Sequence, residues 1–431
     1  MSHIASHGDR LHQSSKTHIV APAGTTETNR SAHADVAFAL SGGQPILSSS
    51  LCHYDGDMRI ALWFALVVPS LFVVDKGAGT VGAVVYALFA AVCVSQLRQV
   101  PLPSGWRGRL LRLATIATVL LVFALVYPRV NVHVPGAGSD DDDAYEIGAR
   151  ALLAARTPYA STTYLGNVLH QFAGSFVLAL PFVLAGAGAL QNPFWFIAFV
   201  WSLRAGRDVE ANDLRYGWLL LLTPVVLHQL VTGTGHLANA VMVGLGLRWV
   251  VRTKRPWLAS AAWGVTLATR ANFVLLLPLA VGWHLRRGGW RAGLTCLIAV
   301  SVVFGVLVVP FYLHAPGQFG PLEASDRLTR ADFWWPYTSG VAMVGMVAVS
   351  LGFASRPLGE RGLMLACAAV QLVPILCVTG VELLAAGWVD LSFATYAVFA
   401  LPFIVTAAVL SPEAQIPLRL FVSKRSQALI A

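Results

Sequence analysis

Charge is what this chain has least of. Only 12% of its 431 residues are Asp, Glu, Lys or Arg, against 56% hydrophobic ones and a mean hydropathy of +0.65. A soluble domain carries roughly 25% charged residues, so an ordinary globular enzyme is excluded and a polytopic membrane protein is indicated. Cysteine is equally scarce, with five in all. Cys93, Cys296, Cys367 and Cys377 lie inside apolar runs and Cys52 lies in the N-terminal segment, so neither a disulfide framework nor a metal–thiolate site is expected. No Walker, dinucleotide-fold, HExxH or GxSxG pattern occurs where its mechanism would need it. No internal repeat of a transporter-like period is evident. The net charge of +9 follows from basic loops beside apolar runs and does not indicate nucleic acid.

What is present is at least ten apolar stretches and a polar start. Residues 1–58 are rich in Ser, Thr, Gly and His, lack apolar periodicity, and read as a disordered cytoplasmic tail. From there the positive-inside rule orders an all-α transmembrane bundle of about twelve crossings over residues 59–411, followed by a cytoplasmic tail at 412–431. The first runs are Ile60–Val74, Ala78–Leu97 and Leu110–Tyr127, the last two separated by the basic RQVPLPSGWRGR. Extracytoplasmic loops are expected at 128–171 and 314–336. The stretch Phe172–Leu203 is ambiguous: it breaks around Ala185–Asn192, and Phe172–Leu190 reads as partly embedded. Trp257–Thr269 and Phe273–His284 make a short hairpin whose tip, Arg270–Asn272, reaches the outer side. Of the 30 Lys and Arg, all but Lys76, Arg129, Arg150, Arg156, Arg270, Arg327 and Arg330 fall inside. That distribution places both termini in the cytoplasm, and the expected location is the plasma (inner) membrane.

One stretch breaks the apolar pattern sharply. SDDDDAYEIGARALLAARTPY, Ser139–Tyr159, puts four carboxylates at a membrane edge, where they need water or a partner. A short surface helix is expected over Asp143–Ala155, with Glu146 and Arg150 spaced i, i+4 and Pro158 ending it. Tyr159 and Tyr164 suit interfacial anchoring, as do Trp334 and Trp335. The outer tips collect His236, Asn239 and Arg270 as well, whereas the inner loops hold mostly arginine. A carboxylate can take a proton from a hydroxyl nucleophile and a guanidinium can neutralise a phosphate leaving group. Together they suit group transfer from a lipid phosphate.

The same residues resemble the GT-C superfamily of polyprenyl-phosphate-sugar-dependent glycosyltransferases, in particular its bacterial mannosyltransferase-like membrane branch. An acidic loop and surface helix of that type are matched by Asp141, Tyr145, Ala149, Leu152, Leu153, Pro158 and Tyr159. TGTGHLANAVMVG supplies Gly233, Gly235, His236 and Asn239, ATRANFVLLLPL supplies Arg270, and FATYAVFALP supplies Tyr396 and Pro402. The match spans roughly residues 110–410. It departs from the family where YLGNVLHQF replaces a Tyr-Pro-Pro, and where two membrane segments precede the acidic loop beyond the usual one.

The resemblance implies an inverting transfer of one mannose-like sugar from a polyprenyl phosphate to a glycolipid or glycan acceptor of the cell envelope. Asp141 would be the general base, with Asp142 and Asp143 as rivals. Arg270 would hold the donor phosphate, and Tyr145, Tyr159, His236 and Asn239 would contact substrate. No protein metal ligand is assigned; four carboxylates could take Mg²⁺ or Mn²⁺, and many relatives need neither. Two other readings stay open, a transporter or flippase of a lipid-linked sugar and a non-catalytic membrane subunit of an envelope-assembly complex.

Overall fold

The computed structural model describes residues 47–134, 138–204 and 212–410. The chain divides at Ser50 into two compact units; the first contributes only the start of a helix to the described residues, and the second holds everything below. The tail at 1–46 and the C-terminal segment with Arg419, Lys424 and Arg425 lie outside the described residues.

Helices dominate. They are α1 (Leu47–Val67), α2 (Leu71–Gln96), α3 (Gly105–Val130), α4 (Asp141–Leu153), α5 (Ala173–Leu184), α6 (Gln191–Ser202), α7 (Asn212–Leu221) and α8 (Pro224–Thr232). Then come α9 (His236–Arg252), α10 (Pro256–Leu267), α11 (Leu277–His314), α12 (Asp326–Thr329), α13 (Thr338–Ala354), α14 (Glu360–Ala386), α15 (Leu391–Ala394) and α16 (Leu401–Val409). Among the described residues there is no strand, only an isolated bridge between Thr162 and Val168. α1 begins at Leu47, inside the segment that composition assigned to the N-terminal tail.

Four helical runs are long and apolar enough to cross a membrane, or up to seven if each of three bent pairs counts as one span. Two of the four double back. Trp63 Nε1 donates to the Ala87 carbonyl at 2.8 Å, although 24 residues of continuous helix would separate them by about 36 Å. The reversal sits at Gly79, whose φ of +66° is open to glycine without strain. The second turn is at Gly289, φ +76°. There a side chain on Gly293 would run into Leu285, a contact that eight residues of straight helix would forbid. The polar sequence RRGGWR therefore separates two antiparallel arms.

The remaining breaks fall where the sequence weakened. Helices α5 and α6 meet at 116°, across the ambiguous Ala185–Asn192; α7 and α8 meet at 75°, just before Pro224. Proline cannot donate to the preceding turn, so one straight span is excluded there. At the centre lies α9, buried nearly all round through Leu237, Val241, Gly244, Leu247 and Val250, with Asn239 and Arg248 buried among them. Trp263 of α10 is fully buried against it and donates Nε1 to the Val243 carbonyl at 3.0 Å. The outer helices behave oppositely: Val81, Val84, Val85, Leu88 and Val92 on α2 and Val341, Val344 and Leu351 on α13 are more than half exposed. Such continuous apolar stripes require hydrocarbon around them.

Candidate active site

The acidic run starts α4. Successive helical positions are rotated by about 100°, so four adjacent carboxylates fan out around the helix axis, and here each takes a different set of partners. Asp140 accepts from Thr163 Oγ1 at 2.7 Å and Asn167 Nδ2 at 2.8 Å, both in the loop after α4. Asp142 accepts from the Tyr127 hydroxyl and from Asn131 Nδ2 at the end of α3, the latter at 2.6 Å. Asp143 accepts from the Tyr164 backbone N–H at 3.0 Å. Only Asp141 turns toward the centre of the bundle.

There it meets three elements distant in sequence. Arg270 Nη2 lies 2.8 Å from Asp141 Oδ1, and Gln171 Nε2 donates to the same oxygen at 2.7 Å. Oδ2 accepts from the Gly235 backbone N–H at 3.1 Å and faces His236 Nε2 at 3.5 Å. Burial raises the Asp141 pKa, but Arg270, His236 and the Gly235 N–H outweigh it and hold the carboxyl at about 2. For Asp142 burial outweighs the Tyr127 hydroxyl and the backbone N–H groups that lower it, and its carboxyl is pushed up to about 6. One turn of α4 beyond Asp141, on the same face, the buried Tyr145 hydroxyl accepts from Asn239 Nδ2 at 3.0 Å and from Arg270. Ala149, a further turn on, is wholly buried. The i, i+4 stripe Asp141–Tyr145–Ala149 is thus the inward face of α4.

Small residues make these approaches possible. A β-carbon on Gly235 would lie 1.8 Å from the Tyr145 hydroxyl, and one on Gly233, already at φ +80°, would strike the Asp142 carboxylate. The turn ending α8 thereby carries the Gly235 N–H and His236 to Asp141. On the opposite flank, Gly174 lets the first turn of α5 lie against the end of α10, where a side chain would hit the Val265 and Ala268 carbonyls. The Phe172 N–H and Ser175 Oγ then both bond the Thr269 carbonyl at 3.1 Å. That clamp brings Gln171 to Arg270. Past the tip, Asn272 Nδ2 donates to Gln371 Oε1 on α14.

Among the expected contact residues, His236 packs its ring on Tyr396 at 5.0 Å and Phe399 at 5.2 Å, and Asn239 is fully buried on Tyr145. Tyr159 does not reach the group. It is buried among Phe176, Phe311 and Phe319 and its hydroxyl donates to the Gln171 carbonyl at 3.0 Å. Its surroundings are those of a positioning residue, not of an interfacial anchor. The expected surface helix is present, with Arg150 and Glu146 paired at 2.6 Å, but it begins at Asp141 and not Asp143. Asp390 accepts from Arg330 Nη2 at 2.5 Å and caps α15 through the Ser392 N–H at 2.7 Å.

The four diverging carboxylates do not form a cation cage. Among the described residues no three His, Cys, Asp or Glu side chains come together to hold a metal. Gln171 was legible only as one polar residue in YLGNVLHQF, and Gln191 and Asn192 only as an interruption of an apolar run. No family model, curated protein or solved structure matches the chain. Fold and site together define an all-helical protein with membrane-spanning helices and a buried acid–guanidinium group at one end of its bundle.

Proposed function

We propose that this protein is an integral membrane glycosyltransferase. It transfers a single, mannose-like sugar from a polyprenyl-phosphate donor to a glycolipid or glycan acceptor on the extracytoplasmic face, with inversion. One observation carries the reading: Asp141, alone among four adjacent acids, meets Arg270, a residue 129 positions away, at 2.8 Å. A base and a phosphate-binding cation must stand side by side for a single displacement at an anomeric carbon. The acceptor hydroxyl loses its proton to Asp141 as its oxygen attacks that carbon. The bond from the carbon to the phosphate oxygen breaks, and Arg270 neutralises the charge left on the polyprenyl phosphate.

A carboxyl held at about 2 is a weak base at neutral pH. The donor corrects this: its phosphate competes for Arg270, loosens the bridge, and lets the Asp141 pKa rise toward a working value. Gln171, the Gly235 N–H and Tyr145 keep the two side chains oriented meanwhile. Asp142 and Asp143 are assigned supporting roles, since their oxygens face Tyr127, Asn131 and the Tyr164 N–H. The twelve-crossing topology, supported by the reversals at Gly79 and Gly289, gives this end of the bundle the extracytoplasmic side. A carrier for the same lipid would place its essential polar groups at mid-membrane depth, and Gln371, one of the few candidates there, is spent on Asn272.

The test is incubation of the purified protein with a radiolabelled polyprenyl-phosphate sugar and membrane lipid extract, with and without EDTA. Label should appear in a new lipid or glycan and disappear with Asp141→Asn. Full activity of Asp141→Asn sinks the base assignment, and no transfer to any acceptor sinks the enzyme reading.

A further inference from the structure

The polar groups beside Asp141 include amides whose hydrogen bonding is incomplete in one consistent sense. Gln171 is 2% exposed and Asn192 4%. Gln171 gives its NH₂ to the Asp141 carboxylate, and Asn192 gives its NH₂ to the Thr234 carbonyl at 3.2 Å. Both partners are pure acceptors, so the orientation of each amide is fixed. In each the remaining oxygen, Gln171 Oε1 and Asn192 Oδ1, is buried without a hydrogen bond. Gln191, the neighbour of Asn192 on the first turn of α6 and 1% exposed, has neither end of its amide paired. Thr234 precedes Gly235, whose N–H holds Asp141, so Asn192 lies one peptide from the Asp141 contact.

Buried polar atoms in a folded protein are nearly always satisfied, and an orphan is costly. Amides serving only as scaffold would find protein partners at both ends. Gln171 and Asn192 spend their donors on the framework around Asp141 and keep their acceptors. A phosphate, itself an acceptor, cannot satisfy them; it belongs on Arg270. A ligand that fits must donate, and Gln191, with both ends open, selects a group that donates and accepts at once. A sugar hydroxyl does both, whereas an ammonium headgroup only donates.

We infer that Gln171, Gln191 and Asn192 form a subsite for the hydroxyls of the donor's sugar, next to the phosphate site at Arg270. This rests on the donor reading above and adds to it the residues that hold the sugar ring.

Calorimetric titration of the full-length protein in detergent tests it, with octyl phosphate, octyl phosphoethanolamine and the octyl phosphodiesters of mannose, glucose, galactose and arabinose as probes. At least one glycosyl phosphodiester should bind about tenfold more tightly than octyl phosphate. Gln191→Leu should abolish that increment, leave octyl phosphate binding unchanged, and raise Tm, because it removes a buried unpaired amide. Gln191→Met is the second variant should leucine misfit. Arg270→Gln should weaken all the phosphate probes. A sugar that adds nothing, an increment that survives Gln191→Leu and Gln191→Met, or an equal gain from phosphoethanolamine overturns the subsite and leaves the phosphate site standing. If octyl phosphate and the glycosyl probes all fail to bind, the donor reading falls and the subsite with it.

Discussion

Two buried acid–arginine pairs lie at opposite ends of α3 and are built very differently. Near its N-terminal end, Arg112 Nε meets Asp213 Oδ2 at 2.6 Å, and Arg204 approaches the same oxygen at 3.5 Å. About 22 Å along the helix, at Tyr127 and Asn131, lies the end that carries Asp141 and Arg270. Asp213 takes two arginines, sits in the first turn of α7 where the helix dipole favours a negative charge, and is 4% exposed in its side chain. Asp141 takes one arginine, a glutamine, a backbone N–H and a histidine, is 14% exposed, and is bordered by amides with spare acceptors. The first arrangement ties α3, α6 and α7 together. The second leaves its neighbours incompletely satisfied, at a cost to stability that a purely structural pair would not carry.

Exchanging the pairs' fates breaks this comparison most directly. Asp141→Asn and Arg270→Gln should each lower sugar transfer per folded molecule by about 10²–10⁴-fold, and Asp141→Asn should also lower Tm at neutral pH, because the ionised carboxyl stabilises the fold. Asp213→Asn or Arg112→Met should leave turnover per folded molecule near normal and destabilise the protein by about 3–5 kcal/mol. Transfer assays normalised to folded protein, beside thermal melts in detergent, separate the two patterns; equal losses of transfer at both ends would contradict the division of roles.

Glycines sharpen the contrast. Gly235→Ala drives a β-carbon into the Tyr145 hydroxyl and should reduce transfer about a hundredfold through misplaced reacting groups. Gly217→Ala, near the other pair, meets only a Val200 methyl at 2.9 Å, which rotates away. It should shift stability by no more than about 1 kcal/mol, read from the melting temperature.

The pH dependence of stability separates Asp142 from Asp141. Its folded carboxyl titrates near 6, above its unfolded value of about 4. The folded state therefore holds an extra proton between those values. The resulting stabilisation is complete below pH 4 and lost as pH rises through 6, on the order of 3 kcal/mol. Asn at position 142 should flatten that part of the Tm–pH curve. Asp141, depressed to about 2, contributes in the opposite sense, with stabilisation present above pH 4 and lost as pH falls toward 2. Asp141→Asn should leave the pH 4–6 slope in place.

The helical, membrane-compatible character of the chain was readable from charge scarcity and apolar runs, because hydrocarbon leaves few alternatives to the helix. Turns at Gly79 and Gly289 follow from glycine beside Asp75–Lys76 and within RRGGWR. The inward face of α4, with Asp141, Tyr145 and Ala149, was picked out only through the family resemblance. Helix ends were less legible: the acids themselves open α4, whereas amphipathicity began it two residues late. Tyr159 was misjudged as an anchor because a tyrosine near Pro158 looks the same whether lipid or Phe176 and Phe319 surround it.

Composition and periodicity, then, determined that this chain lives in a membrane and that an acidic helix breaks its apolar pattern. The family resemblance favoured Asp141 among four identical side chains, but which of them meets Arg270 was decided by tertiary structure. Adjacent carboxylates differ in nothing local except a rotation of about 100° about α4. Their partners come from Gln171, Gly235, His236 and Arg270, up to 129 residues away. Those contacts depend on how the turn after α8 and the hairpin tip at α10 pack, through Gly174, Gly233 and Gly235, and that packing gives Asp141 the only guanidinium.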